Sequence, residues 1–109
     1  MALVDYIQSY PLIQDDSKFI ALIEASIPYY RKDPETSIVP INLQQSAKYR
    51  FDFYGLCSSL GIDQEYHYAT MRLNGLTSSQ DFNGVMDSIL TPPYSMIDRL
   101  IEIALTKKE

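Results

Sequence analysis

YHYATMRLNGLTSSQDFNGVMDSILTPP, residues 66–93, is the stretch on which the reading of the chain turns. An aromatic-rich segment runs to Asn74-Gly75. A polar loop with Ser78, Ser79 and Asp81 follows, and a second turn comes at Asn83-Gly84. The apolar pair Ile89-Leu90 then meets Pro92-Pro93. Asn and Gly tolerate positive φ, so each Asn-Gly pair marks a stop or reversal of the chain. Tyr66, Ala69 and Leu73, flanked by Tyr68 and Met71, fall at helical spacing. They predict a helix that opens with Asp63 as N-cap and ends at Asn74-Gly75, with Asn74 itself in the left-handed region. The short apolar run Ile89-Leu90 predicts a short strand over Ser88 to Thr91, stopped by the prolines.

Upstream, Lys48 to Phe53 (KYRFDF) supports two readings. Charged and aromatic residues alternate, which predicts a half-buried strand with Tyr49, Phe51 and Phe53 on one face. Ala47, Phe51 and Tyr54 also share one side of a helix, and the preceding Gln-Gln-Ser-Ala-Lys favours that form. Leu56 to Leu60 extends such a helix to a glycine cap at Gly61. Farther back, Ile38, Val39 and Ile41 flank Pro40, which fits an edge strand. Arg31 to Glu35 is a charged turn around Pro34. Phe19, Ile20, Ile23, Ile27 and Tyr30 predict a helix from about Ser17 to Ile27, ended or kinked by Pro28. Asp15, Asp16 and Ser17 suit its N-terminus. Leu3, Val4 and Ile7, beside Tyr6 and Tyr10, predict a first short helix over Ala2 to Tyr10, stopped at Pro11.

After Pro93 the pattern is helical to the end of the chain. Ser95 and Asp98 have the spacing of a capping box. Ile97, Leu100, Ile101 and Ala104 form one stripe, and Met96, Ile103 and Leu105 lie outside it. A helix apolar over so much of its circumference predicts cover on a second side. That cover is expected from a neighbouring subunit, which makes Met96, Ile103 and Leu105 interface candidates.

Tyr54-Gly55, His67-Tyr68, Asn74, Asp81, Gly84, Leu90 and Pro92 follow one another in a known order. It comprises a Tyr-Gly pair, an aromatic pair, a short helix ending in Asn, a polar loop, a Gly and a strand ending in Pro. The order resembles LysM-like modules of bacteriophage tail and baseplate proteins, over Ile38 to Pro93. The resemblance implies a βααβ unit in which strands near Ser37 to Ile41 and Ser88 to Thr91 pair antiparallel. It also implies a helix, not a strand, ending at Tyr54-Gly55. Tyr54, Gly55, Tyr68, Asn74 and Gly75 become structural candidates on the same ground. The expected fold is α+β and mostly helical. One domain spans residues 1–109: a helical arm (1–35), the module (36–93) and a C-terminal helix (94–109).

Composition narrows the function. Lys and Arg number nine against fourteen Asp and Glu, a net charge of −5. An acidic chain without a basic face predicts neither nucleic-acid binding nor attraction to anionic membranes. There is no apolar run of membrane-spanning length and no leader pattern, so neither secretion nor insertion is expected. The single cysteine, Cys57, excludes an internal disulfide. The lone His67 has no partner at metal-ligand or catalytic spacing, and no phosphate loop or nucleophile elbow is present. No enzyme activity and no cofactor are expected. Nine tyrosines, four phenylalanines and no tryptophan fit either half-buried core positions or an interface.

LysM modules of cell-wall proteins bind N-acetylglucosamine polymers through a first loop that is commonly Gly-Asp-Thr. Here Asn42-Leu43-Gln44-Gln45 takes that place, while the second loop, Leu76 to Phe82, keeps its polar character. The resemblance therefore points to a structural protein of a phage virion, in the tail, baseplate or neck, assembled in the host cytoplasm. It would act by docking to other virion structural proteins in a homo- or hetero-oligomer. A peptidoglycan- or chitin-binding module and a small cytoplasmic adaptor are the alternatives.

Overall fold

The computed structural model describes residues 17–106, and the expected helix over Ala2 to Tyr10 lies outside them. The chain is α+β and mostly helical, with one two-stranded antiparallel sheet. Helix α1 spans Ser17–Lys32 and buries Phe19, Ile23, Ile27 and Tyr30 on one side. The sequence predicted a helix to about Ile27, ended or kinked by Pro28; it is not ended there and continues to Lys32. Pro28 faces solvent, and Tyr30, in the turn that follows it, is buried with the rest of the helix's apolar side. An Asx turn comes next, in which Glu35 N–H donates to Asp33 Oδ1 at 2.8 Å.

Strand β1 (Ser37–Pro40) pairs antiparallel with β2 (Ser88–Thr91), Val39 opposite Ile89 and Ile38 opposite Leu90. Between the strands lie three α-helices where the resemblance implied two: α2 (Leu43–Lys48), α3 (Phe53–Ser59) and α4 (His67–Leu73). Short 3-10 turns at Gln64–Tyr66 and Ser79–Asp81 join them. The final helix, α5, spans Tyr94–Thr106. The carbonyl of Pro93 accepts from Met96 N–H and Ile97 N–H, so α5 starts one residue before Ser95. The expected Ser95–Asp98 capping box is absent, because Ser95 already lies inside the helix and Asp98 accepts a bond from Tyr66 instead.

Two apolar clusters share a common wall. The first joins α1 to α4 and α5 through Phe19, Ile23, Ile27, Tyr30, Ala69, Leu73, Ile97 and Ala104. The second fills the module with Ile41, Phe53, Leu56, Cys57, Ile62, Met71, Phe82 and Ile89. Helix α4 faces both, with Ala69 and Leu73 to one side and Met71 to the other. Strand β2 does the same with Leu90 and Ile89, as the two-residue period of a strand requires. The α5 stripe read from sequence is the one that packs: Ile97 and Ala104 are fully buried, with Leu100 and Ile101 beside them.

Candidate docking surfaces

Lys48 to Phe53 is neither of the two forms that the sequence offered. Helix α2 ends at Lys48 and α3 begins at Phe53, with a tight turn between them. Tyr54-Gly55 therefore opens a helix and does not end one. Asp52 is its N-cap, accepting from Gly55 N–H at 3.0 Å. A Cβ at position 55 would lie 2.2 Å from that carboxylate, so a larger residue would displace the Asp52 cap. Tyr54 N–H donates to Ser79 Oγ, tying α3 to the second loop.

Phe51 stands at the tip of this turn with φ 65°, the one non-glycine residue of positive φ among the described residues. The left-handed region costs an ordinary L-residue roughly 1–2 kcal/mol. Three backbone contacts hold it there. Phe51 N–H donates to the Phe82 carbonyl at 2.8 Å, Asp52 N–H to the Tyr49 carbonyl at 2.8 Å, and Arg50 N–H to the Ala47 carbonyl at 3.2 Å. Gly84 makes the approach possible, since a Cβ there would come within 2.9 Å of Arg50 Cβ. The Phe51 ring is 56% exposed. Arg50 lies over it, its guanidinium carbon 4.7 Å from the ring centre, and Lys48 lies 5.6 Å from that of Tyr49. Val85, just past Gly84, is 68% exposed.

Met96, Ile103 and Leu105 are all partly exposed, at 37%, 37% and 52%. They do not make one surface. Met96 and Ile103 are seven residues apart and line one flank of α5. Leu105 is two residues beyond Ile103, which carries it about 200° around the helix to the other flank.

Asn74 has a role that the sequence reading missed. Its φ is −88°, not left-handed; Gly75 takes that conformation at φ 82°. Leu76 N–H donates to the Met71 carbonyl and Gly75 N–H to that of Arg72, which is a Schellman motif. The Asn74 side chain is free to act elsewhere. Its Oδ1 accepts from Leu90 N–H at 2.8 Å, and its Nδ2 donates to the Leu90 carbonyl at 2.8 Å and to the Thr70 carbonyl at 2.7 Å. Asn74 thus occupies the outer edge of β2 as a third strand would. It also fixes the ladder. Leu90 turns its polar groups away from Ile38, so by alternation Pro40 stands at a position that needs no N–H.

Other polar groups are spent within the fold. Glu24 accepts from Tyr68 Oη at 2.8 Å and from Arg72 Nε and a terminal nitrogen at 2.6 and 2.9 Å, joining α1 to α4. The Arg72 bonds hold the Glu24 carboxyl below its usual range. Burial, then Glu24, pushes the Tyr68 hydroxyl up to about 12. In the first loop Asn42 Oδ1 caps α2 through Gln45 N–H, and Gln45 reaches Ser59 Oγ. In the second, Asp81 accepts from Thr77 and Ser78 N–H. Asp63 makes no side-chain cap bond, contrary to expectation, because a 3-10 turn precedes α4.

His67 is buried, its Nε2 2.8 Å from the Ile62 carbonyl and its ring 5.5 Å from that of Tyr54. Burial lowers its pKa and favours the neutral ring. Cys57 is fully buried and its thiol is pushed up to about 12 by burial alone. Neither group is presented to a reactant. No cluster of metal-ligating side chains occurs among the described residues. No helix among them is long and apolar enough to cross a membrane. No family model, curated protein or solved structure matches the chain.

Proposed function

We propose that this chain is a non-catalytic docking subunit of a virion, in the manner of the phage tail and baseplate modules that it resembles. Its partners are other structural proteins of the particle, or further copies of itself. One observation carries the reading: in the two loops that would form a glycan groove, Asn42, Gln45, Ser79 and Asp81 are tied up in caps and turns, while large apolar side chains stay outside. Leu43, Phe51 and Val85, on or beside the same loops, are exposed. Sugar recognition needs free donors and acceptors, whereas protein docking uses apolar and aromatic anchors.

The test is calorimetric titration with soluble chitin and peptidoglycan fragments. No binding is expected. Micromolar affinity, about −8 kcal/mol, would overturn the docking reading in favour of a glycan-binding module.

A further inference from the structure

We propose that the Lys48–Phe51 turn is a self-docking knob, whose exposed ring and two cations seat on an acidic, tyrosine-lined surface of a second copy of this chain. The inference rests on the docking reading and names its partner. The turn itself has no need of a phenyl ring. Gly or Asn would hold φ 65° with less strain, and the three backbone bonds that fix the turn use no Phe51 side-chain atom. A strained and exposed aromatic is retained where something outside the fold uses it.

Charge selects the occupant. The chain carries −5, yet Lys48 and Arg50 stand two residues apart on this turn. Neither forms an ion pair among the described residues; each lies over the neighbouring aromatic ring instead. The complementary surface is on the same chain. Tyr66 and Tyr94 stack with ring centres 4.2 Å apart, and Tyr66 Oη donates to Asp98 at 2.7 Å. Asp63 and Glu65 lie beside them, and Glu65 is held above the usual carboxylate range by burial and by repulsion from Asp63 and Asp98. Half-buried rings rimmed by carboxylates offer an apolar seat for Phe51 and counter-charges for Lys48 and Arg50. Knob and seat are different patches, so the contact is head-to-tail, a geometry that builds rings or filaments and not a closed twofold dimer.

The test is sedimentation velocity over a concentration series at low and high salt. The wild-type mass should rise with concentration and fall with salt, because the pairing charges are exposed. Phe51→Gly should melt at a higher temperature, its strain relieved, while associating at least tenfold more weakly. Phe51→Asn gives the same comparison with a side chain that tolerates the turn. Arg50→Glu and Asp63→Lys should each weaken association, and the two together in one chain should restore it. Arg50→Glu keeps the methylenes beside Gly84, and the Asp63 side chain caps nothing. A wild type that stays monomeric, a Phe51→Gly chain that associates as tightly, or a double charge swap no better than the single ones would each overturn the knob. Any of these without glycan binding removes only the self-docking and leaves the docking reading in place; micromolar glycan binding removes the docking reading itself.

Discussion

Asn74→Ala removes the side chain that closes the outer edge of β2, and the structure sets the size of the loss. Three hydrogen bonds disappear, two to Leu90 and one to Thr70. At about 1 kcal/mol net per bond, and more for a polar group left unpaired in a part-buried site, the cost is about 2–4 kcal/mol. Against a total of about 5–15 kcal/mol for a chain of this kind, that is a large share. It should lower the melting temperature by about 10–15 °C. Asn74→Asp separates the donor from the acceptor. Its carboxylate still accepts from Leu90 N–H, but its second oxygen faces the Thr70 and Leu90 carbonyls where an amide donated. Those carbonyls raise the folded-state pKa of the new acid above its unfolded value. Its stability deficit is then smallest at low pH, where the protonated acid donates again, and grows as pH rises through the folded value. Melting curves of the wild type and both variants at pH 7 and pH 4 check this. The Asp variant should close on the wild type at pH 4, while the Ala deficit stays constant. An Asn74→Ala chain within about 0.5 kcal/mol of wild type, the range of an ordinary surface change, would refute the edge-strand role.

The same melting assay tests two further points, and dichroism with a mass measurement tests a third. Gly84→Ala should cost about 2–4 kcal/mol, combining positive φ with a clash against Arg50, whereas Gly61→Ala has open space and should cost only about 1 kcal/mol; equal losses would show that the Arg50 contact yields freely. Glu24→Gln should cost at most about 1 kcal/mol at pH 7, since Glu24 and Arg72 are partly exposed. The folded carboxyl is depressed, so this contribution is full above the unfolded value near 4.5 and is lost as pH falls through the folded one; a deficit that persists at pH 2 would place the effect in packing. Ile103→Lys should leave far-UV dichroism unchanged and lower particle incorporation or oligomer mass; outright unfolding would assign Ile103 to the core of the single chain.

The helical framework was legible because its signals agree with one another. In α5, period, propensity and the proline before it all point the same way, and the stripe Ile97, Leu100, Ile101 and Ala104 packs as read. Gly61 caps α3 through a Schellman motif, as the chain after Leu56 indicated. The strand positions and their antiparallel pairing match what the resemblance implied. The end of α1 at about Ile27 was misread because a proline rule is local, whereas Tyr30 beyond it is buried in a cluster that includes Ala69 and Leu73. Asn74 misled for the opposite reason. An Asn before Gly reads as a left-handed cap, but the glycine alone suffices for that, and the amide is released to bond a strand sixteen residues later. No spacing in the sequence marks such a bond.

Lys48 to Phe53 shows where the sequence signals fail and what the failure means. Alternation argued for a strand and the preceding residues for a helix, and both were wrong because the segment is a turn that links two helices. Such a turn would ordinarily carry Gly or Asn at its left-handed position, and either would have been read at once. Phe51 hid it. A residue whose local preference opposes its backbone conformation is either compensated within the fold or kept for a use beyond it. Compensation here comes from backbone bonds and from Gly84, which would serve Gly or Asn at position 51 equally well, and from Arg50 over the ring, an exposed contact of only about 0.5–1 kcal/mol. The phenyl ring is more than half exposed, belongs to neither core cluster, and sits on a strained backbone position. The conflict that made this segment unreadable is therefore the same feature that singles it out as a contact site.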